Sequence, residues 1–97
     1  ISDNDQCFRK KNAQEAQKLQ KKFKDITRNT SCNVGDQACI GKDFAQCAQK
    51  DKWSIIPCGN NLVCVVLPLV QKRGISITCD TIDDQNSRIQ DSLKAAE

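Results

Sequence analysis

Two stretches of the chain space their apolar residues as helices do, and the stretch between them does not. Residues 3 to 27, DNDQCFRKKNAQEAQKLQKKFKDIT, contain no Gly or Pro and open on an Asp3 to Gln6 capping-box pattern. At about 100° per residue, Phe8, Leu19, Phe23 and Ile26 fall on one stripe with Ala16 beside it, which predicts an amphipathic helix. Cys7 lies about 120° from Leu19 on that wheel, away from the apolar stripe. Residues 81 to 96 repeat the pattern more briefly: Thr81 caps, Asp84 stands at the third position, and Ile82, Ile89, Leu93 and Ala96 form the stripe.

The centre reads as short strands, at about 37 to 40, 43 to 48, 52 to 56, 62 to 67 and 75 to 79, punctuated by Gly35, Gly41, Gly59 and Gly74. Ser76 and Thr78 alternate with Ile75, Ile77 and Cys79, as in a half-buried strand. The segment CVVLPLVQKRGISITCD holds an apolar run between two cysteines, too short for a membrane span of about 20 apolar residues. It reads as a chain reversal in which Leu67-Pro68-Leu69-Val70 packs its leucines under the hairpins. The competing reading is an apolar patch with Lys72 and Arg73 at its rim. The expected fold class is α+β: a small disulfide-rich domain with short antiparallel β-hairpins bracketed by an N-terminal and a C-terminal amphipathic helix. Residues 1–97 form one domain in this reading, with a cysteine-rich module at 32–80.

Composition explains why such a chain needs covalent help. It has 97 residues, 38% of them hydrophobic, and its aromatic residues are Phe8, Phe23, Phe44 and Trp53 alone, so the core is thin. Seven cysteines, Cys7, Cys32, Cys39, Cys47, Cys58, Cys64 and Cys79, supply a disulfide framework and point to an oxidising setting: secreted, extracellular or cell wall. Zinc is a poor alternative, because no pair has the C-x2-C spacing and the chain has no histidine. Asn29-Thr30-Ser31 is an N-glycosylation sequon, and a chain without Met that begins Ile-Ser-Asp fits one already relieved of its initiator and signal peptide.

Charge is unevenly placed around the net +3. Residues 1–31 carry eight Lys/Arg against four acids, residues 32–79 five against three, and residues 80–97 two against five, which suggests that the two ends lie near each other. Without histidine the common general base and the usual triads are missing, and the acids gather at turns and on the C-terminal helix, so no enzyme is expected and no cofactor or metal. The basic segment holding Lys18, Lys21, Lys22 and Lys24 lacks interleaved aromatics, so no nucleic-acid partner is expected. Its apolar stripe is needed by the fold rather than by a membrane.

Six cysteines form one block, C32-x6-C39-x7-C47-x10-C58-x5-C64-x14-C79. Within it, Ala38-Cys39, Phe44-Ala45-Gln46-Cys47, Lys52-Trp53, Pro57-Cys58, Leu67-Pro68-Leu69-Val70 and Ser76-Ile77-Thr78-Cys79-Asp80 resemble the fungal carbohydrate-binding modules of family 19, small chitin-binding units. The likeness covers Cys32 to Asp80, and the N-terminal helix, with its Gln14-Glu15-Ala16-Gln17, and the acidic C-terminal helix also look like those of standalone fungal relatives. Two positions depart from the pattern: Val65 stands where the family commonly has an aromatic, and Gln49-Lys50-Asp51 replaces a shorter Gly-containing turn. A looser likeness to the peritrophin-type chitin-binding domain implies the pairs Cys32–Cys47, Cys39–Cys64 and Cys58–Cys79; six cysteines alone allow 15 pairings.

What the resemblance implies is a non-enzymatic module that binds chitin or chitooligosaccharide. Trp53 is the candidate sugar platform, yet in KWSII it shares a strand face with Ile55 and reads equally as core. Phe44 and Gln46 alternate outward while Ala45 and Cys47 look inward. Pairing Gln46 with Trp53 puts Phe44 and Trp53 on one face and pairing Cys47 with Trp53 separates them, and the sequence leaves both registers open. Asn60, Asn61, Gln46 and Asp80 are candidate hydrogen-bonding partners for acetamido and hydroxyl groups, against simpler roles for Asn60 and Asn61 in a turn and Asp80 as a cap. The alternative is an effector-like or signalling protein that keeps the scaffold and binds a protein receptor. Cys7, left over from the block, is a candidate intermolecular disulfide in a homodimer, and a weaker third reading makes the chain a wall protein crosslinked through it.

Overall fold

A computed structural model of the chain describes residues 3–95, with side chains from residue 8 onward. The Asp3 to Gln6 cap, the Cys7 dimer bond and the place of Ala96 in the second stripe lie outside what is described. The element order is α1 (Asp3–Phe23), β1 (Gln37–Ile40), β2 (Asp43–Gln49), β3 (Lys52–Ile56), β4 (Val63–Pro68), β5 (Ile75–Asp80) and α2 (Ile82–Leu93). This is the expected α+β arrangement, two helices flanking antiparallel hairpins.

Helix α1 stops at Phe23 rather than reaching residue 27. The Thr27 N–H is taken by the Thr30 hydroxyl at 2.9 Å, and the three-residue bonds Asp25 N–H to Lys22 O and Ile26 N–H to Phe23 O tighten the chain out of α-helical geometry. Short polar side chains compete with helical carbonyls in this way. Ile26 still packs against the core from the turn.

The strands form two sheets, β1-β2-β3 and β4-β5. Cys39 faces Phe44 and Ala38 faces Ala45 across β1 and β2; Cys47 faces Trp53 across β2 and β3, and the register shifts between Cys47 and Gln49. The disulfides are Cys32–Cys47, Cys39–Cys64 and Cys58–Cys79, the same pairs as the peritrophin-type analogy implies. Cys39–Cys64 ties β1 to β4 and so couples the two sheets; Cys58–Cys79 anchors the connection after β3 onto β5. Closing loops with sequence separations of 15 to 25 contributes about 3 kcal/mol per bridge in the chain-entropy picture, large beside the small core.

One buried cluster joins the layers: Ala13, Ala16 and Phe23 of α1, Ala38 and Cys39 of β1, Cys64 and Val66 of β4, and Ile89 of α2. The two helices pack on each other and on β4, so the oppositely charged ends do lie together. On α2 the buried residues are Gln85, Ile89 and Ser92, with Leu93 packed beside them. Ile82, placed on the apolar stripe by periodicity, is instead half exposed, and the buried residue of the first turn is Gln85.

Strand β4 sits at a sheet edge, a position that leaves backbone groups unpaired. Here they are consumed one by one. The Cys64 N–H donates to Lys42 O of the β1–β2 turn, the Val66 N–H donates to the side-chain oxygen of Gln85 at 2.9 Å, and Pro68 has no N–H to offer. Val65, on the other face of β4, is 1% exposed. An aromatic ring at that position would therefore be part of the interior in this fold, not a surface platform.

The apolar run ends in the β4–β5 connection. Pro68 is buried, Leu67 and Leu69 are half-buried, and Val70 is 50% exposed, so the run is interior up to Leu69 and surface at its tip. Buried Asn12 of α1 holds this loop: its amide donates to Leu69 O and Lys72 O, and its oxygen accepts from Gly74 N–H. Gly74 has φ +129°, and a Cβ there would lie 3.3 Å from Leu69 Cδ1.

Candidate functional site

Trp53, the second residue of β3, stands opposite Cys47, on the sheet face that also carries Ala45 and Ile55. Its indole N–H donates to Thr30 O at 3.0 Å, which satisfies the one polar atom of the ring and fixes its orientation. Thr30 is itself held in place. Its N–H bonds Thr27 O, its hydroxyl accepts from Thr27 N–H, and Asn29 N–H donates to the Thr27 hydroxyl. The sequon residue Asn29 is exposed on this turn.

The chain then enters a second clamp. Cys32 is bonded to Cys47, its N–H donates to Asp51 Oδ1, and its carbonyl accepts from Asp51 N–H. Asp51 sits at φ 63°, so the Gln49-Lys50-Asp51 turn that departs from the family pattern anchors residue 32 against the β2–β3 hairpin. After it, Cys47 N–H bonds Asp36 O and Asn33 N–H bonds Asp36 Oδ2, which folds residues 33–36 back along β2.

These restraints shape a cleft of about 340 Å³. Trp53, Leu19, Phe23, Ile26 and Ile77 give it apolar walls; Thr30, Ser31, Asp36, Gln37 and Lys22 supply polar groups. Its size falls in the range of small-molecule sites, roughly 300–1,000 Å³. A second cleft of about 500 Å³ runs beside the Cys39–Cys64 bridge, between Gln20 and Phe23 of α1, Lys24 just after it, Gly41, Val66 and Gln85.

The other sequence candidates do not line the Trp53 cleft. The Cys47–Trp53 register decides the question the sequence left open: Phe44 and Gln46 share the opposite sheet face, so the two rings do not form one platform. Phe44 is half-buried and packs against the core, whereas Gln46 is exposed. Asn60 and Asn61 are exposed turn residues with φ 48° and 64°, left-handed conformations that asparagine tolerates.

Asp80, the last residue of β5, accepts from Thr81 N–H at 2.7 Å. A side-chain hydrogen bond with Asp84, then that N–H, hold the Asp80 carboxyl below its ordinary value of 3.8 against an opposing effect of burial, with a lesser contribution from the Arg88 guanidinium. Thr81 caps α2 through Asp84 N–H, and Arg88 pairs with Asp84 at 2.8 Å. Asp80 thus belongs to the entry of α2.

Sequence reasoning did not place Lys22, Asp36 and Gln37 beside Trp53. Lys22 was visible only as part of the basic helical segment, Gln37 as the start of a short strand, and Asp36 as a neighbour of Gly35. Their approach to Trp53 depends on the Cys32–Cys47 bridge and the Asp51 clamp, which no local spacing encodes. No family model matches the chain, and neither a curated protein nor a solved structure matches it. Among the described residues no helix is long and apolar enough to cross a membrane, and the three disulfides are compatible with an extracellular protein.

Proposed function

We propose that this chain is a secreted, non-enzymatic module that binds N-acetylglucosamine oligomers, such as chitin, in the cleft beside Trp53. The observation that carries the reading is an indole locked by its N–H to Thr30 O on the wall of a cleft that pairs apolar surface with Lys22, Asp36 and Gln37. A pyranose offers an apolar ring face to an indole and hydroxyl and acetamido groups to polar side chains. The cysteine block and its resemblance to chitin-binding modules support the same ligand class, and the disulfides make the walls stiff, which lowers the ordering cost of binding.

The test is depletion of the pure protein by insoluble chitin, with cellulose alongside, at moderate salt to suppress nonspecific adhesion of a basic protein. Chitin-selective retention that Trp53→Ala abolishes, in a chain still folded by circular dichroism, supports the site. Retention of the folded variant would sink it.

A second reading is a protein receptor as the partner of the same scaffold. It is favoured by the half-buried state of Trp53, whose polar atom is already satisfied internally, and by the separation of Phe44 from it. That reading expects no glycan retention and a receptor interaction sensitive to Lys21→Glu, at an exposed lysine outside the Trp53 cleft.

A further inference from the structure

The face of α1 that turns toward the β4–β5 loop carries a cleft of about 630 Å³ whose charged lining is Lys11, Lys18 and Arg73 against the single acid Glu15. Lys11 and Lys18 are seven residues apart and so lie above one another on the helix. Neither lysine nor Arg73 has an ion-pair partner among the described residues. The remaining lining, Asn12, Gln14 and Gly74, contains no apolar side chain.

The third cation comes from a loop, and the loop is fixed. Asn12, 2% exposed, donates to the carbonyl of Lys72 at 2.9 Å and accepts from the N–H of Gly74 at 2.8 Å, the residues on either side of Arg73. Its second donated bond, to Leu69 O, and the Leu69 N–H to Gly74 O bond close the base of the loop. The backbone of Arg73 is thereby held over α1 beside the two lysines before any ligand arrives, so less ordering is left for binding to oppose.

We infer that this cleft is a second binding site, separate from the Trp53 cleft, for a sulfated glycan chain. Three cations without an ion-pair partner among the described residues, around a trough lined by no apolar residue, match spaced, permanently ionised sulfates, and a guanidinium can engage one of them with two parallel N–H donors. An acidic peptide fits less well, because protein partners draw most of their affinity from buried aromatic or aliphatic anchors and the trough offers no apolar pocket. A single-stranded nucleic acid fits less well again, since no ring is available for base stacking.

Heparin is the probe, read by affinity in solution and by the salt needed for elution from a heparin column. Reversing charge at Lys11, Lys18 and Arg73 to Glu is expected to weaken binding by roughly tenfold per site. The same net change made at Lys42, Lys50 and Lys94, outside the cleft, is expected to weaken it by less than about threefold in total. Asn12→Ala changes no charge and, if folded, is expected to lower heparin affinity by loosening Arg73, an effect that bulk charge alone does not give. Equal losses in the two triple variants, absence of heparin binding by the wild type, or displacement by polyglutamate as effective as by heparin would each overturn the assignment. Chitin retention is expected to be unchanged in the cleft triple variant, so failure here and failure of the Trp53 reading are distinguishable.

Discussion

The side-chain oxygen of Gln85 accepts the backbone N–H of Val66 at 2.9 Å, and through that bond helix α2 closes the open edge of strand β4. Both partners are buried, Gln85 at 6% and Val66 at 1% exposure, so the Val66 amide loses its protein partner at a sheltered position when the glutamine is removed. Gln85→Leu keeps much of the side-chain volume and leaves the Val66 amide unsatisfied, at a cost of about 1–3 kcal/mol. Urea unfolding should show a lower midpoint at unchanged slope. Amide exchange should show Val66 losing protection beyond the global change.

Asn12 does for the β4–β5 loop what Gln85 does for the strand. Asn12→Ala removes an acceptor for Gly74 N–H and a donor to two carbonyls, and a loss of about 2–4 kcal/mol is expected. Asn12→Asp keeps the acceptor but turns a carboxylate oxygen toward the Leu69 and Lys72 carbonyls, so it should not rescue stability. Stability measured for both variants near neutral pH checks this; a fully stable Asn12→Asp protein would show that the two donated bonds carry nothing.

Removing one disulfide should separate the roles of the bridges. The Cys39→Ala, Cys64→Ala pair cuts the link between the two sheets and empties part of the buried cluster. It should cost more than the roughly 3 kcal/mol of loop closure, because apolar contacts disappear with the bridge. The Cys58→Ala, Cys79→Ala pair lies among half-buried positions and should cost close to the loop-closure value alone. Thermal melts of the two double variants, each with its other bridges intact, make the comparison.

Trp53→Phe retains a ring and deletes the N–H that reaches Thr30 O. About 1 kcal/mol of stability should be lost, since Thr30 O is only half-buried and water can replace the donor. Loss of order should appear in the 27–32 turn, visible as changed amide shifts for Asn29 and Thr30.

The Asp80 carboxyl titrates below 3.8, drawn down chiefly by Asp84 and the Thr81 N–H. A depressed folded-state value means a stabilisation that is present above the unfolded value and is lost as pH falls through the folded one. Acid unfolding between pH 3.8 and lower should therefore be less steep in Asp80→Asn, and carbon-detected titration of the wild type should place the Asp80 midpoint below 3.8. A midpoint at or above that value would contradict the hydrogen bonding described at the entry of α2.

Much of the architecture was legible locally. The five strands follow from runs of β-branched and alternating residues between glycines, and their observed bounds agree with the pattern to within one or two residues. The Thr81 cap was readable because capping acts over three residues, and the structure shows it accepting from Asp84 N–H. The apolar positions of α1 were also readable, apart from Ala13 and buried Asn12. Polarity points an asparagine outward until something outside the helix offers it partners, and Asn12 finds its partners 57 to 62 residues away. The same reason hid Gln85 and Ser92 on α2, where periodicity favoured Ile82.

By itself, then, the sequence determined the element order and the need for covalent crosslinks, because propensity, capping and hydrophobic period act over a few residues and composition limits the size of the core. Tertiary structure decided which side of the sheet Trp53 occupies, where Val65 goes, and which polar residues surround each cleft. The Cys47–Trp53 register, the Cys32–Asp51 clamp and the grip of Asn12 on the Arg73 loop join residues distant in the chain. Contacts of that kind form only when the chain has closed on itself, since their partners lie far apart in the sequence.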